Sequence, residues 1–92
     1  MSQIIKPSVI ARELRVHFCK TNPGSQGLRD FIGKEYLNLK KEHPGLPILI
    51  REAQGVESRV FGRYDKGVER KAILDNLSAA EVEKTIKDLI RG

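Results

Sequence analysis

Hydrophobic and polar positions change their spacing along the chain in a way that predicts alternating strands and helices. Leu14, Val16 and Phe18 alternate with polar residues, a period of two that is typical of a strand with two unlike faces. After a turn-rich stretch at 21–25, apolar residues recur at helical spacing until a Pro-Gly pair ends the helix. The continuous apolar run 48–50 predicts a second strand, covered on both faces. Together these elements predict a βαβ unit.

The second half of the chain predicts a hairpin of two further strands. Residues 57–64 place Val60 and Tyr64 on one face and two arginines with a phenylalanine on the other. The Asp-Lys-Gly tripeptide at 65–67 is a turn signal, because Asp and Gly tolerate the positive φ of tight turns. The returning strand, 68–74, has a charged first half, which suits the edge of a sheet.

The last helix has the clearest start in the sequence. Ser78 and Glu81 form a capping box, in which each side chain accepts a hydrogen bond from the other residue's backbone amide. Leu77 and Val82 occupy the hydrophobic-staple positions on either side of the cap. The apolar residues of this helix form one stripe: Val82, Ile86, Leu89 and Ile90. Because a βαβ crossover is right-handed, the order β-α-β-β-β-α predicts an α/β domain with a four-stranded mixed sheet and two helices.

Length and composition agree with one small domain. The 92 residues leave no room for a second core, so we expect a single domain over 1–92 with a short, loosely held lead at 1–11. The chain is 39% apolar and 32% charged, which argues against disorder. No apolar stretch approaches the roughly 20 residues of a membrane span. The first residues show no cleavable presequence pattern, so import into an organelle is expected to use an uncleaved or internal signal.

The net charge of +5 has three interpretations. The excess of positive charge indicates a basic surface that is simply solvated, a protein partner that is acidic, or a nucleic-acid partner, whose phosphates attract clustered Lys and Arg. The chain has only five aromatic residues. Phe18, Phe31 and Tyr36 are at predicted core positions, which leaves little for stacking on bases and disfavours the third interpretation.

Cys19 is the only cysteine of the chain and therefore limits the redox chemistry available. It lies near the end of a strand before a helix, where thioredoxin-type enzymes hold their nucleophile and where a helix dipole lowers a thiol pKa. However, Asn22 stands three residues further on, so there is no resolving cysteine, no disulfide and no iron–sulfur ligand set. We expect a buried or half-buried structural cysteine.

Other candidate chemistry has a structural explanation. The Pro-Gly-Ser-Gln-Gly stretch before the first helix suggests an anion-binding loop, but it matches no known phosphate motif. The structural interpretation assigns Gly24 to the turn, Ser25 to the N-cap, and Gly27 to close packing of the helix on a strand. His17 and His43 have no partners at metal-ligand or triad spacing. We therefore predict no catalytic, cofactor-binding or metal residue, and no enzymatic activity.

Polar residues at the predicted strand ends and at the first helix predict a docking surface. Arg and Tyr are favoured anchors of protein interfaces. The candidates are Arg15, His17, Arg29, Arg51, Glu52, Arg63 and Tyr64. The alternative is a set of solvated strand ends and local ion pairs, each of which contributes little to stability.

The string from Asn22 to Glu52 (NPGSQGLRDFI, LKK, HPGLPILIRE), with a second patch at 63–64, resembles a known family. The family is that of the small thioredoxin-like accessory subunits of mitochondrial NADH:ubiquinone oxidoreductase (complex I), alpha subcomplex subunit 2. The resemblance implies a thioredoxin-like fold and a non-catalytic role, without cofactor, in assembly and stability of the NADH-oxidising matrix arm. Its implied partners are other matrix-arm subunits. Its implied location is peripheral, on the matrix side of the mitochondrial inner membrane.

A wider superfamily shares the fold and part of the PGS-x-G-x-R pattern, and it includes proteins of the mitochondrial ribosome. The alternative function is therefore an RNA-binding thioredoxin-like protein of that ribosome, and only there is nucleic acid a partner. A monothiol redox enzyme is a third, more distant interpretation. Some members of the complex I family carry a second cysteine where this chain has Ala53. The resemblance thus implies that the disulfide of those relatives does not form here.

Overall fold

The computed structural model describes residues 11–91, and its elements follow the predicted order β-α-β-β-β-α. The elements are β1 (Glu13–Phe18), α1 (Gln26–Glu42), β2 (Ile48–Glu52), β3 (Arg59–Arg63), β4 (Glu69–Ile73) and α2 (Ala79–Arg91). The predicted α/β class, with a four-stranded mixed sheet and two helices in a thioredoxin-like order, is confirmed. No helix in the range 11–91 is long and apolar enough to cross a membrane.

The sheet has the strand order β2-β1-β3-β4, with β1 parallel to β2 and antiparallel to β3. Both helices pack on the same side of the sheet, so the prediction that β2 is covered on both faces is wrong. Ile48 is buried, but Leu49 and Ile50 are only half-buried. Leu49 shares a register row with Arg15 and Phe61, on the face opposite to the buried residues of β1.

One side of the sheet carries the core, because both helices pack against it and against each other. Leu14 and Val16 of β1 and Val60 of β3 are at most 2% exposed, as period-two alternation requires. The predicted apolar stripe of α2 is buried over the same side of the sheet. The aligned apolar faces explain how so small a domain obtains one continuous core.

The start of α1 differs in detail from the prediction. Ser25 is at the N-cap position, but its side chain does not cap the helix. Its hydroxyl instead lies 2.7 Å from the carbonyl oxygens of both Cys19 and Asn22. Capping falls to Asn22, whose side chain accepts from the Gly24 amide at the start of a 3₁₀ turn over Pro23–Ser25. Because the hydroxyl of Ser25 donates to carbonyls earlier in the chain, this side chain holds the loop in place rather than the end of the helix.

Gly27 provides close packing, but its neighbour is not the predicted strand. A Cβ atom at this position would lie 1.8 Å from the carbonyl oxygen of Leu77 and 2.9 Å from the carbonyl carbon of Ser78. The backbone just before α2 therefore passes directly over the first turn of α1. The nearby backbone amide of Asn76 donates to the Gly24 carbonyl at 2.7 Å, which holds the two segments together.

The predicted cap of α2 is confirmed. The Ser78 amide donates to Glu81 Oε1 at 2.9 Å, and the Glu81 amide donates to Ser78 Oγ at 3.2 Å. The β3–β4 turn at 65–67 is also present, but Lys66 (φ 63°) and Gly67 (φ 76°) adopt the positive φ, not Asp65. The prediction of a loosely held lead falls on residues outside the described range, except for Ala11. That residue is buried and its amide donates to the Ile90 carbonyl, so it is held in place.

Candidate docking surface on the open face of the sheet

The sheet face opposite the helices is defined here as the open face. Alternation along the paired strands assigns a fixed set of side chains to it. The set is Glu13, Arg15, His17, Leu49, Arg51, Arg59, Phe61, Arg63, Glu69, Lys71 and Ile73. Arginine, lysine and histidine therefore line most of a surface that no described helix covers.

His17, Arg51 and Arg59 form a single register row across three strands, and we call these three residues the cation centre. The imidazole of His17 packs beside the ring of Phe61, with 5.2 Å between ring centroids. The guanidinium carbon of Arg59 lies 5.9 Å from the centroid of the same ring. Phe61 thus has a cationic or polar group on both sides, which gives the centre an apolar floor.

The local environment lowers the pKa of His17 below its ordinary value of 6.5. Desolvation is the largest cause, and the positive charges of Arg59, Arg15 and Arg51 add to it. His17 is therefore neutral at neutral pH, and the cation centre carries only the charges of Arg51 and Arg59.

Acidic side chains balance only one end of the open face. Arg15 pairs with Glu13 (Nε to Oε2, 3.0 Å) and with Glu69 (Nη2 to Oε2, 3.3 Å). In contrast, Arg51, Arg59 and Arg63 form no ion pair with any residue between 11 and 91. The Arg59 Nε atom is buried and has no hydrogen-bond partner within that range. A buried charged donor without an acceptor is rare, because its lost hydration is not replaced.

The structure brings together four of the seven predicted docking residues: Arg15, His17, Arg51 and Arg63. Glu52 is exposed at the end of β2 but alternates onto the other side of the sheet. Arg29 fastens the loop before α1, with Nε donating to Ser25 Oγ at 3.1 Å and Nη2 donating to the Asn22 carbonyl at 3.2 Å.

Tyr64 is not part of the open face either. Its side chain is buried on the helix side of β3, and its hydroxyl donates to the Leu89 carbonyl in the last turn of α2. Its ring is therefore a core group, although the guanidinium of Arg70 lies 5.9 Å from its centroid at the sheet edge.

Sequence reasoning omitted Arg59, Leu49, Phe61, Lys71 and Ile73 from the surface. Arg59 and Phe61 could have been found, because the period of two that places Val60 in the core assigns both neighbours to the opposite face. Lys71 and Ile73 depend on the β3–β4 register. Leu49 required the finding that both helices cover the opposite face of β2.

Cys19 is buried, as predicted, but its thiol is unusual. Hydrogen bonding lowers its pKa from 9.0 to about 7, first through the Gly55 backbone and then through the Thr21 side chain. The sulfur lies 3.6 Å from Thr21 Oγ1. Backbone donors aimed at sulfur favour the thiolate. The chain has no second cysteine, so this thiol has no resolving partner within its own molecule.

In the loop before α1, acceptors of the chain itself take the hydrogen bonds that an anion-binding loop would donate to its ligand. The Gly24 amide donates to the Asn22 side chain at 2.9 Å, and Ser25 Oγ is engaged with two carbonyls. Donors already satisfied by the chain are not free to cradle a phosphate. No cluster of three or more His, Cys, Asp and Glu suited to a metal ion occurs among residues 11–91.

Fold and site together define a class of protein: a thioredoxin-like α/β domain without a cysteine pair and with a cationic, uncovered sheet face. The family model described as "Mitochondrial ribosomal protein L51 / S25 / CI-B8 domain" matches residues 28–79. The chain belongs to this family, and within it to the group of NADH dehydrogenase (ubiquinone) 1 alpha subcomplex subunit 2. The resemblance seen between Asn22 and Glu52 is therefore confirmed.

Three relatives document this membership. The chain is 51% identical over 81 residues to NADH dehydrogenase (ubiquinone) 1 alpha subcomplex subunit 2 of Mus musculus, covering 88% of this chain and 82% of the relative. It is 42% identical to the protein of the same name from Arabidopsis thaliana, covering 88% and 84%. It is 36% identical to the NADH-ubiquinone oxidoreductase 10.5 kDa subunit of Neurospora crassa, covering 88% and 86%.

Proposed function

We propose that this chain is a non-catalytic accessory subunit of mitochondrial respiratory complex I. The observation that carries the proposal is the 51% identity, across 88% of the chain, with a protein named as a subunit of NADH dehydrogenase. The single cysteine supports a non-catalytic role, because an iron–sulfur cluster requires about four ligands and a thioredoxin-type enzyme requires a second thiol. The chain acts by binding other subunits.

The subunit belongs to the NADH-oxidising matrix arm and supports the assembly and stability of that arm. It is held peripherally on the matrix side of the inner membrane through protein contacts. Two observations support this location: no helix between residues 11 and 91 is suited to span a membrane, and the family description refers to mitochondrial proteins. A net charge of +5 suits contact with subunits that carry an opposite charge.

Docking uses the open face, where Arg15, His17, Arg51 and Arg63 converge with Arg59. Arginine is enriched at the centres of protein interfaces, where it combines charge with a flat, weakly hydrated guanidinium. The opposite side of the sheet is filled by the two helices and offers no comparable area. The strands therefore hold the docking side chains on a rigid base.

The proposal is tested by replacing the chain in cells that lack their own copy. Wild type, Arg51→Glu and Lys34→Glu are expressed, checked for folding by circular dichroism, and followed by blue-native electrophoresis with staining for NADH oxidation. Lys34 is exposed on α1, remote from the open face, and serves as the matched control. We expect wild type and Lys34→Glu in the NADH-oxidising complex and a depleted level of Arg51→Glu, because charge reversal exchanges attraction for repulsion. Absence of wild type from that complex contradicts the proposal.

A role in the mitochondrial ribosome is a second candidate, favoured by the basic charge and by the ribosomal members of the matching family. The same experiment includes sedimentation of mitochondrial ribosomes at low and high salt. Recovery of wild type with ribosomal RNA, lost at high salt, would favour this candidate, because phosphate contacts are released by counterions.

A further inference from the structure

The open face has more positive charge than its own carboxylates can balance. It carries five arginine and lysine side chains against the two carboxylates of Glu13 and Glu69. Both carboxylates are engaged by Arg15 and share a register row with Arg63, so the unbalanced charge concentrates at Arg51, Arg59 and Lys71. Nearby cations repel one another at close range unless an anion lies between them. This distribution is therefore complementary to a negatively charged partner.

We propose that the open face binds a carboxylate-rich segment of a partner polypeptide. One carboxylate lies over the cation centre, and an apolar side chain of the same segment packs beside Phe61. This inference rests on the proposed function and deepens it, since it states the chemistry of the partner that the docking surface recognises.

Arg59 supplies the most specific observation. Its Nε donor is buried between neighbouring side chains yet finds no acceptor among residues 11–91. A guanidinium presents donors in a fixed fork that matches the two oxygens of a carboxylate. A carboxylate above the row of His17, Arg51 and Arg59 accepts from the part of the Arg59 guanidinium that stays accessible and reduces the repulsion between the two arginines. It also favours protonation of His17, because an opposite charge stabilises the imidazolium.

The apolar part of the open face favours a polypeptide over RNA. Leu49 and Phe61 are half-buried and Ile73 is 42% exposed, so apolar and cationic groups alternate as in a protein interface. The only aromatic rings in the set are Phe61 and the imidazole of His17, and they pack against each other beside Arg59, which leaves little surface for base stacking.

Photo-crosslinking in the assembled state tests the proposal. Ile73 is replaced by p-benzoylphenylalanine, because its side chain is exposed on the open face in register with Arg59. Leu37, which is 72% exposed on α1, receives the same probe as the matched control. After irradiation of mitochondria, the captured peptide is identified by mass spectrometry. We expect position 73 to capture a partner peptide in which Asp and Glu exceed Lys and Arg, and position 37 to capture it at a much lower yield.

A second pair of variants tests the electrostatic contribution while keeping the probe at position 73. Arg59→Gln removes the charge but retains a polar side chain, whereas Arg70→Gln changes the neighbouring edge on the helix side of the sheet. We expect Arg59→Gln to reduce capture about tenfold and Arg70→Gln to leave it unchanged. Equal capture in both variants overturns the role of the cation centre.

The outcomes separate this inference from the proposed function. If the wild-type chain enters the NADH-oxidising complex but only position 37 captures a subunit, the proposed function stands and the acidic-partner inference fails. Capture of RNA, or of a peptide with excess Lys and Arg, at position 73 also overturns the inference. Capture of an acid-rich peptide from another assembly, dependent on Arg59, supports the inference while the proposed function fails.

Discussion

His17 and Cys19 lie two residues apart near the end of β1, and both have a lowered pKa for opposite reasons. At His17 the charged form is disfavoured, because burial and three arginines oppose the imidazolium. At Cys19 the charged form is favoured, because hydrogen-bond donors point at the sulfur. Alternation along β1 directs His17 to the open face, whereas β1 ends at Phe18 and leaves Cys19 in the loop before α1. A difference of two positions along the chain thus separates a docking group from an internal one.

The shifted pKa of His17 is directly measurable by NMR titration of its imidazole resonances, assigned with His17→Gln. We expect a midpoint below 6.5 in the folded chain. Because the folded chain binds a proton at His17 less readily than the unfolded chain, His17 makes a pH-dependent contribution to the free energy of unfolding. This contribution is present above about pH 6.5, the unfolded-state pKa of histidine, and is lost as the pH falls from there through the lowered folded-state pKa. Thermal melts between neutral pH and pH 5 should show a smaller loss in His17→Gln. A titration midpoint at or above 6.5 contradicts the expected cluster of positive charge.

We expect the thiol of Cys19 to ionise at a lower pH than an ordinary cysteine and yet to react slowly with alkylating reagents. The thiol is only 5% exposed, although its pKa is about 7. We expect iodoacetamide to alkylate the folded chain slowly, with a rate that follows a midpoint near pH 7, and to alkylate the unfolded chain much faster at high pH. Cys19→Ser is expected to fold and to assemble, since no second cysteine exists. Turnover in a glutathione-linked assay, lost in Cys19→Ser, would instead support a redox enzyme.

At the scale of elements, α1 meets the segment before α2 in a close backbone contact. Gly27 allows the Leu77 carbonyl to pass where a side chain would otherwise stand. Gly33, six residues further along α1, is exposed, and outside the neighbouring backbone of its own helix no atom lies within 4 Å of the position that a Cβ atom would take there. In α1, close packing therefore requires glycine at position 27 but not at position 33.

The two glycines give a matched pair of substitutions. We expect Gly27→Ala to lower the free energy of unfolding by about 3 kcal/mol or more, because the added methyl collides with backbone that cannot move aside cheaply. Gly33→Ala should raise it by about 0.5–1 kcal/mol, since alanine favours the helix and nothing obstructs it. Urea unfolding measures both changes. A neutral Gly27→Ala would mean that α1 and α2 do not meet as closely as described.

The capping box of α2 provides a second test at this scale. Ser78→Ala removes the acceptor of the Glu81 amide and should cost about 1 kcal/mol, or roughly 4–8 °C of melting temperature for a domain of this size. Glu81→Gln keeps a side-chain acceptor for the Ser78 amide and should retain most of the stability. An unchanged melting temperature in Ser78→Ala would show that the cap does not contribute to folding.

The sequence could predict most elements because local patterns determine them. The alternation of β1, the turn at 65–67 and the capping box of α2 all depend on residues within a few positions of one another. The start of α1 was predicted in position but not in chemistry, since Ser25 bonds to a carbonyl six residues earlier and Asn22 competes for the cap. The neighbour of Gly27 lies 50 residues away, and no local pattern indicates it.

At the scale of the whole molecule, strand order decides which predicted docking residues act together. Arg15, His17, Arg51 and Arg63 were predicted as strand-end residues, and the sheet unites them because β1 lies between β2 and β3. Tyr64 was assigned to the same surface, but it lies one position out of phase with Arg63 and belongs to the core. The open face stays uncovered because of tertiary packing, since both helices pack against the same side of the sheet.

The same packing ties the end of α2 to the sheet through Tyr64. Its hydroxyl satisfies the Leu89 carbonyl, one of the last carbonyls of a helix, which lack partners within the helix. Tyr64→Phe should cost about 1 kcal/mol, because a buried acceptor loses its donor. Thermal denaturation should show one cooperative transition at a lower temperature. An unchanged melting temperature would mean that this carbonyl finds another donor.

The central position of β1 affects the order in which a growing chain can fold. β1 is synthesised before both strands that flank it and before α2, which closes the core over the helix side. Until α2 has been made, the apolar side of β1 and β3 lacks half of its cover and invites aggregation or chaperone binding. The open face, in contrast, is complete as soon as β4 has paired. The two sides of the sheet are therefore completed at different stages, and recognition of a partner at the open face depends on the paired strands rather than on the finished core.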